Sequence, residues 1–187
     1  VDITDEASIA KATNAVKSAH LVVVATGLLH SPDGLEPEKT WRDLDLGNLT
    51  RSFAINTIGP ALVAKHLMPQ MPRSERAIFA AISARVGSIG DNRLGGWYGY
   101  RASKAALNQM IKTLSIELAR SRPQSVCVGL HPGTVDTELS GPFKANVPER
   151  NLFSSERAAR QLLNVLGGLM PSDTGNLFAW DGTQVPF

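Results

Sequence analysis

The sequence predicts an α/β protein built on a doubly wound parallel sheet. Three observations predict it: four short, almost unbroken apolar runs, longer amphipathic stretches between them, and segments rich in Gly, Pro, Asn and Asp after the runs. Strands buried on both faces read as continuous apolar runs rather than alternating ones. Their alternation with helical patterns is the signature of a parallel sheet wrapped in helices. No internal repeat or low-complexity segment interrupts the chain, so residues 1–187 read as a single domain.

Taken in order, Val1–Ile3 reads as the tail of a strand, and Asp5–Ser18 as a helix with Thr4 as its N-cap. Leu21–Thr26 (LVVVAT) is the first full strand, followed by a loop over Leu28–Lys39. Leu49–Met68 reads as a long helix. Ala77–Ser83 (AIFAAIS) is the second strand and Arg85–Trp97 its loop. Ser103–Arg120 is a helix because Leu107, Met110, Ile111, Leu114 and Leu118 recur at three- and four-residue spacing. Ser125–His131 (SVCVGLH) is the third strand, Gly133–Phe153 a loop, and Ser155–Leu169 a helix opened by Ser154 and closed by Gly167, Gly168 and Pro171. Asn176–Ala179 is the last strand. The loops follow the carboxyl ends of strands, the edge of an open α/β sheet where ligands bind.

Composition narrows the function. With 43% hydrophobic and 19% charged residues, the chain can bury a core. Its formal charge of +2 comes from 19 basic and 17 acidic residues in no block, which argues against nucleic acid as a partner. No apolar run approaches the roughly 20 residues that span a bilayer. Cys127 is the single cysteine, consistent with a reducing, cytoplasmic setting. His20, His30, His66 and His131 show no metal-ligand spacing, so no metal is expected, and no G-x-S-x-G elbow marks a serine hydrolase.

The chemistry concentrates in the run YRASK, Tyr100 to Lys104. Residues four apart on a helix face the same way, so the phenol and the ammonium can enter one cleft. A nearby cation is expected to lower a phenol's pKa from about 10 toward a useful acid–base range. Three other features supply what that chemistry needs. Ser83 and Ser88, after a buried strand, are candidate hydroxyls for holding a substrate oxygen. Pro60 lacks an N–H and leaves the carbonyl of Asn56, four residues earlier, without its helical partner and free to anchor a proton relay. The turn at Pro132 and Gly133 lets backbone approach a flat ring, with Thr137 in reach of an amide or phosphate. Trp97 is a candidate floor for the substrate pocket and Gly95–Gly96 a mobile lip over it, while Tyr98 falls to the substrate loop.

Together these segments resemble the short-chain dehydrogenase/reductase superfamily over essentially the whole chain. The runs NRLGGWYGYRASKAALN (Asn92–Asn108), HPGTVDTEL (His131–Leu139) and FAWDG (Phe178–Gly182) look like its C-factor-like and sniffer-type carbonyl reductase branch. The resemblance implies a Rossmann-like fold and hydride transfer between NADP (or NAD) and a small carbonyl or alcohol. It implies Tyr100 as general acid/base, Lys104 as the group that lowers its pKa and holds the nicotinamide ribose, and Asn56 completing the tetrad through a water. Asp2 and Ile3 would flank the adenine, and Ala25, Thr26 and Gly27 would line the cofactor ribose. Pro132, Gly133, Thr134, Val135 and Thr137 would embrace the nicotinamide. Association as a homodimer or homotetramer through the two long helices is also implied.

The chain departs from the family in three places. Val24–Gly27 (VATG) stands where the family has NNAG. Counting back from Gly87, the family's catalytic serine aligns with Ala84, which leaves Ser83 as the favoured substitute. The Gly-rich TGxxxGxG loop of the first βαβ unit is absent, so the expected fold is N-terminally incomplete, short by about 50–70 residues at roughly 30 per unit. A non-catalytic signalling or interaction protein, or a remnant, is the alternative.

Overall fold

The computed structural model describes residues 1–187, apart from the Asn146 side chain. Helix α1 (Glu6–Thr13) leads to strand β1 (Leu21–Val24). Helices α2 (Leu46–Phe53) and α3 (Gly59–Leu67) flank a π-helical turn over Ala54–Ile58, and strand β2 (Ile78–Ile82) follows. Helix α4 (Tyr98–Ser121) leads to strands β3 (Val126–His131), β4 (Thr134–Val135) and β5 (Leu152–Phe153). Helix α5 (Ser155–Gly168) and strands β6 (Leu177–Ala179) and β7 (Gln184–Val185) complete the chain. The main sheet runs β1-β2-β3-β6-β7, parallel except for β7; β4 and β5 pair separately.

Strands β2 and β3 bury both faces, and β1 buries one. On one side Val22, Val24, Phe79, Ala81 and Cys127 pack on Ala64 and Met68 and on Leu107, Ile111 and Leu118 of α4. On the other, Ile78, Ala80, Val126, Val128 and Leu130 pack on Leu162 and Leu166 of α5. Helices on both faces make the sheet doubly wound, as the sequence predicts.

Several expected elements differ. Val1–Ile3 is a turn rather than a strand: Asp2 Oδ1 accepts the Thr4 amide and hydroxyl at 2.8 and 2.7 Å, curling the chain. With Thr4 so engaged, Asp5 is the N-cap of α1, and that helix stops at Thr13, whose hydroxyl turns back to Ile9 O. The expected helix Leu49–Met68 begins at Leu46 under an Asp45 cap. Its interior is the π turn, in which the Gly59 amide reaches back five residues to Ala54 O. A π turn absorbs the donor that Pro60 lacks without breaking the helix. Helix α4 starts five residues before Ser103. The short strands β4 and β5 and the antiparallel β7 lie in stretches too short to carry a periodicity.

Candidate functional site

Lys104 is almost wholly buried at 1% exposure, and its Nζ donates to Ile82 O at the end of β2, 2.8 Å away. An ammonium has three donors. Gly27, in the loop after β1, comes close to both polar groups: a Cβ there would lie in van der Waals contact, 3.6 Å from Lys104 Nζ and 3.7 Å from Asn56 Oδ1. The Lys104 ammonium lies 5.7 Å from the centroid of the Tyr100 ring. Tyr100 is buried, and its hydroxyl makes no hydrogen bond among the described residues. Tyr100, Lys104, Asn56 and Gly27 therefore converge on one cleft at the carboxyl edge of the sheet.

Burial governs the titration of the pair. It pushes the Tyr100 phenol up to about 12, and the Lys104 ammonium down to about 8. Desolvation, and not the lowering expected from Lys104, sets the direction of the phenol's shift.

Asn56 is fully buried, and its side chain serves the scaffold. Oδ1 accepts the Leu28 amide, while Nδ2 donates to Leu28 O and to Ser103 Oγ, at 2.8, 2.8 and 3.0 Å. Ser103 Oγ in turn donates to Tyr100 O, and Thr57 Oγ1 donates to Ser103 O, at 2.9 and 2.7 Å. The π turn and the loop after β1 are thereby fastened to the first turns of α4. Ser103 and Thr57 escaped the sequence reading, although Ser103 lies inside YRASK.

Ser83 does not reach the cleft. It is 1% exposed and its Oγ donates to Asn108 Oδ1 at 2.6 Å, in the sheet–helix interface. Strand alternation turns residue 83 toward α4, and its hydroxyl proton is committed to Asn108. Ser88 is also buried, its Oγ accepting the Asp91 amide at 3.1 Å.

Gly133 has φ +76°, and a Cβ there would meet the Phe153 ring at 2.7 Å, so this turn needs glycine. Pro132 is half-buried beside it, and Thr134 and Val135 pair with Leu152 and Phe153. Thr137 is exposed, its backbone tied by Ser140 Oγ. The segment then folds back over the cleft: His30 Nε2 donates to Glu138 O at 2.7 Å, and Leu139 Cδ1 would be 3.7 Å from a Cβ at Gly27. Ile3, Ala25 and Thr26 line a separate groove of about 340 Å³ beside β1, and Asp2 is exposed nearby. At the Gly95–Gly96 lip, Arg101 Nε shares its donor between the two carbonyls at 3.2 and 3.0 Å.

The donor chemistry of Lys104 suits vicinal ribose hydroxyls, because its ammonium has donors beyond the one that Ile82 O takes. No helix of the described residues is long and apolar enough to cross a membrane, and none of their His, Cys, Asp and Glu side chains cluster in threes as metal ligands.

Residues 1–148 match the family described as short chain dehydrogenase. The chain is 37% identical over 146 residues to C-signal of Myxococcus xanthus, covering 78% of this chain and 82% of that protein. It is 34% identical over 140 residues to 1-hydroxy-2-glutathionyl-2-methyl-3-butene dehydrogenase of Rhodococcus sp. strain AD45, covering 75% of this chain but 59% of the relative. An NADPH-bound carbonyl reductase from chicken fatty liver superposes with a TM-score of 0.85 at 26% identity, covering all of this chain and 75% of the other. The carbonyl reductase Sniffer of D. melanogaster superposes with a TM-score of 0.84 at 22% identity, over all of this chain and 76% of its own, a likeness of fold.

Proposed function

The chain belongs to the short-chain dehydrogenase family, and on that premise we propose that it is a single-domain, NADP(H)- or NAD(H)-dependent oxidoreductase acting on a small carbonyl or alcohol. The observation that carries this reading is the buried Tyr100–Lys104 pair beside Gly27 at the carboxyl edge of the sheet. The nicotinamide, when bound, supplies the hydride for the carbonyl carbon. Tyr100, held protonated by burial, is the donor that delivers a proton to the carbonyl oxygen as charge develops there. Lys104 offers its free donors to the ribose hydroxyls, and its charge offsets the phenolate left behind. Asn56 holds the loop after β1 in register, and its carbonyl anchors the proton relay behind Lys104. Ala25, Thr26 and Gly27 line the cofactor ribose, Asp2 and Ile3 flank the adenine, and Pro132, Gly133, Thr134, Val135 and Thr137 border the nicotinamide. The NADPH-bound relative supports NADP(H) as the cofactor.

A cytoplasmic location and homo-oligomerisation through the long helical stretches Leu49–Met68 and Ser103–Arg120, the second exposing Met110 and Ile116, belong to the same reading. Sedimentation tests the second. The central test uses the product of the complete open reading frame with NADPH and a panel of small aldehydes and ketones. Tyr100→Phe should keep NADPH affinity and lower kcat by about 10²- to 10⁴-fold, the size of a general-acid contribution. NADPH binding without turnover on any carbonyl would overturn the enzyme reading and favour an interaction protein.

A further inference from the structure

Helix α4 begins without a cap of its own. Its N-cap residue, Trp97, has φ 53° and makes no side-chain cap hydrogen bond; it is the one non-glycine among the described residues with positive φ. A helix leaves its first amides unsatisfied, and an acidic group there also meets the positive end of the dipole. Those amides are met from 61 residues away. Glu38, 7% exposed in the loop after β1, accepts the Gly99 amide on Oε2 at 3.1 Å, and its backbone carbonyl accepts the Trp97 amide at 2.5 Å. Gly99 is shaped to this contact, since a Cβ there would lie 2.8 Å from Glu38 Oε1. The next residue is Tyr100, and the Trp97 ring meets the Tyr100 ring edge-on at 6.4 Å.

We infer that Glu38 is a positioning residue for Tyr100: by capping α4 across the cleft it fixes the turn that aims the phenol. The consequence for turnover rests on the oxidoreductase reading; the consequence for the helix does not. A capping carboxylate that a nearby glycine accommodates acts on one turn, so its loss should disturb orientation more than cofactor binding.

The experiment compares Glu38→Ala, Glu38→Gln and Gly99→Ala in the complete protein. In Glu38→Ala, amide exchange over residues 97–101 should rise about 3- to 30-fold, the size of a lost cap, with residues 107–118 unchanged. Its kcat should fall about 10- to 100-fold, as for a misplaced reacting group, with NADPH affinity and carbonyl KM nearly constant. Glu38→Gln, whose amide oxygen still accepts from Gly99, should restore most of both. Gly99→Ala should mimic Glu38→Ala, and the double variant should be no worse than either, because alanine at 38 removes the clash. Unchanged exchange at 97–101 in Glu38→Ala overturns the inference. So does a loss spread along all of α4, with kcat and NADPH affinity falling together and no rescue by Gln. If the wild-type protein turns over no carbonyl, the oxidoreductase reading fails, and the exchange and double-variant results still decide whether Glu38 holds the turn.

Discussion

At Lys104 the protein keeps an amine where burial opposes its charge. The folded state releases this proton near pH 8, whereas the unfolded chain holds it to about 10.5. Between those values the unfolded state binds more protons, so stability rises with pH across this window, and below it the cost is fully present. A difference of this size corresponds to about 3 kcal/mol. Tyr100 and Cys127, both pushed up to about 12, act in the opposite sense above their ordinary values, so the lysine is isolated by difference from Lys104→Met. In cofactor-free urea titrations, Lys104→Met should be more stable than wild type at pH 7 by up to about 3 kcal/mol, with the gap shrinking below about 1 kcal/mol at pH 10. It should also lose turnover, the stability–activity conflict expected of a strained site. A gap that ignores pH would contradict the burial argument. Ser83 makes the converse case. Ser83→Ala leaves Asn108 Oδ1 buried without its 2.6 Å donor, a loss of about 1–3 kcal/mol, and should leave kcat within about 2-fold. A hydroxyl that touched substrate would show the reverse, a fall in kcat with little change in unfolding.

At the scale of elements, closeness between the loop after β2 and α4 is what brings Ile82 O to Lys104. Gly87 permits it: a Cβ there would fall 2.8 Å from the Lys104 carbonyl carbon and Cβ and 3.1 Å from the Ala105 amide. Backbone cannot swing aside as a flexible side chain can. Gly87→Ala should therefore cost about 1–3 kcal/mol in unfolding and lower kcat by displacing Lys104, read by urea titration and steady-state kinetics. Legibility at this scale followed where each signal resides. The four main strands were readable to within a residue or two because their apolar runs are nearly continuous, and Ser154 marked α5 by a local cap. The start of α4 was not readable, because its cap is Glu38, 61 positions distant, and Trp97 carries no capping side chain. The π turn was visible only as a consequence of Pro60. At the site, Tyr100, Lys104 and Asn56 were legible from spacing and resemblance. The orientation of Ser83 needed the exact end of β2, and Ser103's hydrogen bonds needed the packing of two helices.

For the whole molecule, the informative surface is β1. It pairs with β2 on one side and stands at the edge of the sheet on the other, so a row of backbone donors and acceptors is open. The face is open too. Helix α5 covers β2 and β3, whereas Leu21 and Val23 of β1 are 49% and 42% exposed. An uncharged, apolar edge of this kind templates pairing with another chain, and charged side chains on such edges are the usual protection. Residues 1–187 produced alone should therefore self-associate through β1. Sedimentation velocity should show species that grow with concentration beyond the dimer or tetramer formed through the helices, and Val23→Lys should remove that growth. Leu163→Lys supplies the control. Leu163 is 55% exposed on α5, so the same charge enters the chain away from the edge and should leave association unchanged. If both lysine variants dissolve the assemblies equally, net charge rather than the edge governs association. If the unaltered chain shows no such growth, β1 is already protected in a way its open backbone does not explain.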